Sequence, residues 1–402
     1  MAARKKTSDA EGPVIVGEKK ADKTLDRQGR LGALVAGLRS RHPDRIFTGK
    51  DYTMPWAIRR LPFGIVDLDI ATNGGAPAGG MTMLVGKPGD GKNFLMNKLI
   101  KKQQELYGED CAVAVIGTEL AYDKTQARAA GVKVAMSDRE IEALDTRKLM
   151  LEKKSLTQAE VDELRTQVGT FLVVPPTTAE EAFDIAVELV KSGEFNIVGL
   201  DSFGSVLPEG DDDKDMVDGD ARMAGAAGLN TRLMRKLNNA FAPLKGGLPN
   251  LTCFVGINQV RDDLKAQAFM KQTKETGGWS LKHGRFLTVE VSRKEYLKHE
   301  KTKVRYGKTI GWEITKQKAG GWEGHTGQYD YIMGRSDIDE GELMLRIGQE
   351  YDLIEKDGNT YTYGGVKLGI GEANAAATIA KHGLIDEIRD AILQEAGVTM
   401  VT

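Results

Sequence analysis

Six short apolar runs constrain this chain more than any other feature. MTMLVG (81–86), AVAVIG (112–117), FLVVPP (171–176), NIVGLDS (196–202), LTCFVGIN (251–258) and FLTVEVS (286–292) are rich in β-branched residues and are separated by helical stretches. Runs of this length without polar alternation read as strands buried on both faces, and their alternation with helices reads as a mostly parallel, twisted sheet flanked by helices. The fold class is α/β. With 402 residues the chain is too long for one ordinary core and suits two or three domains.

The first run ends in a loop with its own chemistry. Gly86-Lys87-Pro88-Gly89-Asp90-Gly91-Lys92-Asn93 matches G-x-x-x-x-G-K, with a strand before it and a helix over 92–106 after it. Glycines let consecutive backbone N–H groups curl around a phosphate. The helix N-terminus adds positive potential, and Lys92 reaches the β- and γ-oxygens. The last position departs from the pattern, since Asn93 stands where a Ser or Thr hydroxyl ordinarily ligates Mg²⁺. Its amide oxygen can coordinate a hard cation, so Asn93 either retains metal binding or weakens it and slows hydrolysis. Asp201, closing NIVGLDS, fits the strand-end aspartate that holds Mg²⁺ through water. Glu119 follows a strand at the sheet's carboxyl edge and is a candidate to activate water, although strand-end glutamates are also common surface residues.

Composition narrows the classes. Lys+Arg 56 against Asp+Glu 58 gives net charge −2, which excludes a globally basic nucleic-acid binder but not local basic loops. The 47 glycines, about 12% of the chain against a usual ~7%, belong in loops that approach ligands. Cys111 and Cys253 lie in apolar runs and read as buried thiols, and five scattered histidines offer no zinc spacing. No stretch is apolar over the ~18 residues that a membrane helix needs, and the polar N-terminus lacks a signal-peptide core. The expectation is a cytoplasmic protein without membrane partners.

Organisation follows the same signals. Residues 1–54 form an N-terminal arm plus a helix with Leu31, Leu34, Val35 and Leu38 on one face, suited to packing on the chain's own core or on another subunit. Residues 55–335 form the α/β core, and 336–402 a small, separate α+β domain with two helical stretches around YTYGGVKLG (361–369). Within the core, 137–168 reads as an inserted helical hairpin with capping boxes Ser137/Glu140 and Thr157/Glu160. Thr177 with Glu180 reads as the capping box of the next helix. Trp312–Lys318 reads as one more strand.

Taken together, these segments resemble the RecA family of strand-exchange recombinases from about residue 55 to 385. LDIATNGGAPAGGMTMLVGKPGDGKN (68–93) is similar to the family's lead-in to its phosphate loop, and ELAYDKTQARAAGV (119–132) to the segment that begins with its catalytic glutamate. The resemblance implies a RecA-like P-loop ATPase core using ATP and Mg²⁺, with Glu119 activating water and Asp123 contacting nucleotide. Gln126 stands near the family's adenine-stacking aromatic and offers no ring. GINQVR (256–261) resembles the family's strand-end sensor, which implies that Gln259 senses the γ-phosphate. ITKQKAGG (314–321) resembles the strand whose lysines reach ATP on the adjacent subunit, carrying that role to Lys316 and Lys318. ETGGWSLK (275–282) and YTYGGVKLGIGEANAAA (361–377) match further family segments, the latter in its C-terminal domain. The inserted hairpin and the missing acidic tail resemble a divergent, phage-type member.

DNA contact is implied for the loop after Gln259. Arg261, Lys265, Lys271, Lys274 and Lys282 outnumber Asp262, Asp263 and Glu275 there, with Gly277 and Gly278 giving freedom and Phe269 and Trp279 available for bases. Such a loop suits backbone tracking of single strands. The other DNA loop of the family falls on EGDDDKDMVDGD (209–220), which is acidic here. Met216 and Arg222 exclude an EF-hand. Contact on that side falls to Arg222, Arg232 or Arg235 on the following helix. His283 stands where the family has an aromatic that couples ATP to filament state.

The leading expectation is a DNA-dependent ATPase that forms a helical homo-oligomeric filament on single-stranded DNA, exchanges strands with double-stranded DNA and works beside replication or recombination accessory proteins. One alternative is a RecA-fold helicase motor, which would want an arginine finger where ITKQK stands. Another is a nucleotide-holding filament or loader protein with little turnover because of Asn93.

Overall fold

Successive Met, Leu and Val residues leave Gly80–Gly86 without a polar face, and all seven of its residues are buried. A strand of that kind needs partners on both edges and helices on both faces. The computed structural model describes residues 27–118, 122–203, 219–262, 273–275, 278–333 and 337–398, and within 219–227, 261–262, 273–275 and 278–280 the backbone alone.

The elements run as follows. Helices α1 (Arg27–Arg41) and α2 (Pro55–Ile58), strand β1 (Arg60–Leu61), α3 (Val66–Ala71), β2 (Ala76–Pro77), β3 (Gly80–Gly86) and α4 (Lys92–Tyr107) lead into β4 (Ala112–Gly117). Then come α5 (Lys124–Ala129), the hairpin α6 (Asp138–Glu152) and α7 (Gln158–Arg165), β5 (Thr170–Val174), α8 (Ala179–Ser192) and β6 (Ile197–Asp201). Helix α9 (Gly219–Ala240), β7 (Cys253–Asp262), β8 (Thr273–Glu275), α10 (Gly278–Gly284), β9 (Leu287–Lys298), β10 (Arg305–Gln317), β11 (Thr326–Ile332) and β12 (Asp337–Ile338) complete the large sheet and its cover. The chain closes with α11 (Glu340–Glu350), β13 (Ile354–Asp357), β14 (Thr360–Tyr363), β15 (Val366–Ile370), α12 (Glu372–Lys381) and α13 (Ile385–Glu395).

The large sheet has the order β12-β11-β10-β9-β3-β7-β6-β4-β5, with β8 paired to β7. From β9 to β5 all neighbours are parallel. β10, β11 and β12 add an antiparallel leaf beyond β9. The α/β class and the mostly parallel sheet are as expected. The strand expected at Trp312–Lys318 starts earlier, at Arg305, and β9 runs on to Lys298, because the two hydrogen-bond as a long antiparallel pair.

Each face of the sheet has its own apolar layer. Leu95, Met96 and Leu99 of α4 pack with Leu84, Val113 and Val255 on one face. Phe183 of α8 and Leu233 and Leu237 of α9 pack with Met83, Val198 and Phe254 on the other. The first layer continues into Ile338, Leu343, Ile347, Tyr361, Ile388 and Ile392, so the closing α+β segment shares the core's apolar interior. Lys98, almost wholly buried on α4, ties the two by reaching Asp337 and Glu340 at 3.1 Å each, and Arg346 reaches Asp67 of α3 at 3.5 Å. Three helices, not two, flank the β13–β15 sheet.

Local signals held in the hairpin. Ser137 and Thr157 both close complete capping boxes with Glu140 and Glu160, and Lys148 bridges the two helices to Glu160 at 2.6 Å. The box expected at Thr177/Glu180 is shifted by one residue. Thr178 caps α8 by accepting from the Glu181 N–H, while the Thr177 N–H and hydroxyl donate to the Glu181 carboxylate. Two adjacent threonines and two adjacent glutamates permit either register, and helix packing chose. α1 forms where expected, with no residue buried and Leu31 and Leu34 exposed. Cys111 and Cys253 are buried free thiols, and burial pushes them up to about 11 and about 12. They stay protonated and unreactive.

Candidate nucleotide site

Strand pairing assembles the site at the carboxyl edge of the parallel strands. Gly86 at the end of β3 lies level with Gln259 of β7, and Asp201 at the end of β6 lies level with Ile257 of β7 and Gly117 of β4. This is the edge at which open α/β sheets bind ligands.

The loop from β3 to α4 turns on glycines. Gly89 and Gly91 have φ of 77° and 96°. At Gly91 the left-handed backbone favours glycine, and a Cβ there would also press on the Ile310 Cδ1 methyl at 2.8 Å. Lys92 opens α4 and is buried, its ammonium donating to the loop carbonyls of Gly86 at 3.0 Å and Lys87 at 2.8 Å. Asn93, one residue on, is exposed and donates its amide to Asp201 Oδ2 at 2.6 Å. The two residues expected to serve the metal therefore meet directly. Asn93 Oδ1 and the Asp201 carboxylate are hard oxygen donors of the kind Mg²⁺ accepts alongside water, and the pair fits that ion.

A cavity of about 300 Å³ brings together Pro88, Gly89, Gly91, Lys92, Asn93, Asp201, Gln126 and Gln259. The expected phosphate, metal and sensor residues are thus neighbours in space. Asp123 stands apart from that lining, and its carboxylate caps α5 by accepting from the Gln126 N–H at 3.0 Å. Glu119 lies outside the described residues. Thr118 before it is anchored, its hydroxyl donating to the Asp201 and Ser202 carbonyls at 3.0 and 2.9 Å. The end of β4 is thereby held against the end of β6.

Among the lining residues that escaped the sequence reading are Lys308, Ile310 and Tyr331. They arrive from β10 and β11, whose antiparallel pairing beside β9 no local pattern announced. A lysine near the start of a strand ordinarily points to water, so the only available signal was a weak one, namely the apolar positions Ile310, Trp312 and Ile314 that follow Lys308 at alternate places.

Lys316 and Lys318 occupy the opposite edge. Lys316 is level with Thr288 near the start of β9, and its ammonium donates to the Lys282 and His283 carbonyls, while Lys318 donates to the His283 carbonyl at 2.6 Å. Burial, with Lys318 and Arg285 nearby, lowers Lys316 to about 8. Arg60, buried, holds the turn after them through the Ala319 and Thr72 carbonyls.

The expected DNA-contacting residues follow directly from the site. β7 carries Gln259 past the phosphate loop and then pairs antiparallel with β8, with Arg261 in register with Lys274. Lys265, Phe269, Lys271 and Gly277 lie outside the described residues, and for Arg261, Lys274 and Gly278 only the backbone is described. Lys282 and Arg235 are exposed, on α10 and α9.

Comparison with known proteins agrees with this arrangement. The model of the RecA N-terminal domain matches residues 150–321. Protein RecA of Nautilia profundicola is 28% identical over 382 residues, covering 94% of this chain and 91% of that protein. Protein RecA of Nitratiruptor sp. is 27% identical over 350 residues, covering 86% and 88%. Protein RecA of Oceanobacillus iheyensis is 28% identical over 339 residues, covering 84% and 83%. Over most of its length the chain is similar to these RecA proteins, at low identity. Among the described residues no helix is long and apolar enough to cross a membrane.

Proposed function

We propose that this protein is a DNA-dependent ATPase that assembles into filaments on single-stranded DNA and promotes pairing and strand exchange with homologous duplex. The observation that carries the proposal is the split of its polar and charged groups between two edges of one sheet. Lys92, Asn93, Asp201 and Gln259 surround one cavity, while Lys316 and Lys318 lie level with the other ends of the strands, away from that cavity, which suits a role toward a neighbouring subunit's nucleotide.

In this reading the loop N–H groups and Lys92 bind the phosphates in cis. Asn93 and Asp201 would hold Mg²⁺, which supplies charge neutralisation across the β- and γ-oxygens when bound. Glu119 accepts the proton of the attacking water. Gln259 contacts the γ-phosphate and, because β7 continues into the β7–β8 ribbon, transmits its presence toward the basic loop at 261–282. Lys316 and Lys318 of the next subunit stabilise the charge of the transition state, so hydrolysis depends on assembly. The Asn93–Asp201 hydrogen bond competes with metal ligation and favours slower turnover than a hydroxyl in that place would give.

ATP hydrolysis measured with and without single-stranded DNA tests the reading. DNA-stimulated turnover supports it. Filaments that hold ATP without turnover at saturating DNA and Mg²⁺ would instead mark a nucleotide-holding loader.

A further inference from the structure

The antiparallel leaf of the sheet brings one more cation to the phosphate loop. Lys308, half-buried near the start of β10, donates its ammonium to the carbonyl of Gly89 at the loop's apex. The same ammonium lies 5.3 Å from the centroid of the Tyr331 ring, and that ring stands edge-on to Phe94 with centroids 5.0 Å apart. All three side chains line the cavity that holds Lys92, Asn93 and Asp201. Burial and the nearby Arg293 weaken the hold of Lys308 on its proton, against the pull of Asp90.

Lys308 and Lys92 share one feature. Lys92 is buried and Lys308 half-buried, and each ammonium donates to carbonyls of the phosphate loop. A carbonyl is a poorer partner for an ammonium than an anionic oxygen, which adds charge–charge attraction to the hydrogen bond. An anion entering the cavity offers both lysines the better partner. The ring of Tyr331 beneath Lys308 restricts where its ammonium can go and helps keep it near the loop.

We propose that Lys308 is a second lysine of the nucleotide site in cis, moving from the Gly89 carbonyl to a phosphate oxygen of the bound nucleotide and setting its affinity. The inference rests on the reading of this cavity as the ATP site. Lys308 contributes equally in ground and transition states, so its effect falls on binding more than on chemistry.

The test titrates an N-methylanthraniloyl-labelled ATP with Mg²⁺ against the full-length wild type and the variants K308A, K308R and K92A, and compares KM and kcat for unlabelled ATP. Lys308→Ala is expected to weaken binding and raise KM about tenfold, equivalent to about 1.4 kcal/mol, with kcat moving less than about threefold. Lys308→Arg, which keeps the charge, restores most of the affinity, which a purely structural role would not do. Wild-type affinity in K308A overturns the inference, as does a loss of kcat at unchanged KM. If K92A also binds like the wild type, the nucleotide reading of the cavity itself fails, a result separate from the fate of Lys308.

Discussion

The two ends of β10 carry lysines in opposite situations. At its start Lys308 sits on the phosphate loop of its own chain, inside a cavity already furnished with Lys92, Asn93, Asp201 and Gln259. At its end Lys316 and Lys318 sit on the last carbonyls of α10, away from any nucleotide the same chain could bind. One end is complete within the subunit. In the proposed reading the other supplies cations to a neighbouring subunit's site, while within this subunit α10 holds them. A lysine at a helix C-terminus is electrostatically favoured, so this arrangement is stable in a lone subunit, and leaving it requires a stronger anionic partner. On the proposed function, one strand thus carries a binding role at one end and an assembly-dependent role at the other.

Breaking the far end gives the largest expected effect. Replacing Lys316 and Lys318 together by Ala lowers DNA-stimulated kcat about 100-fold, the usual scale for losing transition-state charge stabilisation. Nucleotide affinity of the unassembled subunit stays within about twofold, because its cavity is untouched. Equal losses in both quantities would erase the distinction between the two ends.

The pH dependence sharpens the same contrast. Lys316 is lowered to about 8, so its charged form is lost as pH rises through that value. The kcat/KM for DNA-dependent hydrolysis, which reports the free enzyme, should fall above about pH 8, approaching tenfold per unit. Lys316→Arg keeps its charge throughout and should flatten that fall. A K316R profile that falls like the wild type would assign the titration elsewhere.

A smaller effect is expected at the near end. Asn93→Thr frees Asp201 from the amide and offers a hydroxyl, raising kcat about fivefold, or roughly 1 kcal/mol, and lowering the Mg²⁺ concentration needed for half-maximal rate. An unchanged rate and unchanged Mg²⁺ dependence would show that Asn93 does not limit the metal site.

What could be read in advance followed from local physics. Buried parallel strands announce themselves as apolar runs, glycines and a lysine after a strand announce a phosphate loop, and Ser137/Glu140 and Thr157/Glu160 announce helix starts. Each signal is contained within a few consecutive residues. The features that escaped depend on pairing between distant segments. Lys308 and Tyr331 reach the cavity only because β10 and β11 lie antiparallel beyond β9, and the cap at Thr178 rather than Thr177 is decided by how α8 packs. The direct bond between Asn93 and Asp201 was equally hidden, since each residue was legible alone and only the registers β3–β7 and β6–β7 bring them together.

The central claim is that a working site takes its phosphate loop from one subunit and Lys316 and Lys318 from the next. Mixing two inactive proteins tests it directly: K92A, with an impaired loop and intact far-end lysines, and the K316A/K318A double variant, with the reverse. In a random one-to-one filament on single-stranded DNA, roughly a quarter of the head-to-tail interfaces unite an intact loop with intact lysines. ATP hydrolysis by the mixture should therefore recover to roughly a quarter of the wild-type rate while each variant alone stays near background. A mixture no more active than the sum of its two components would contradict the account.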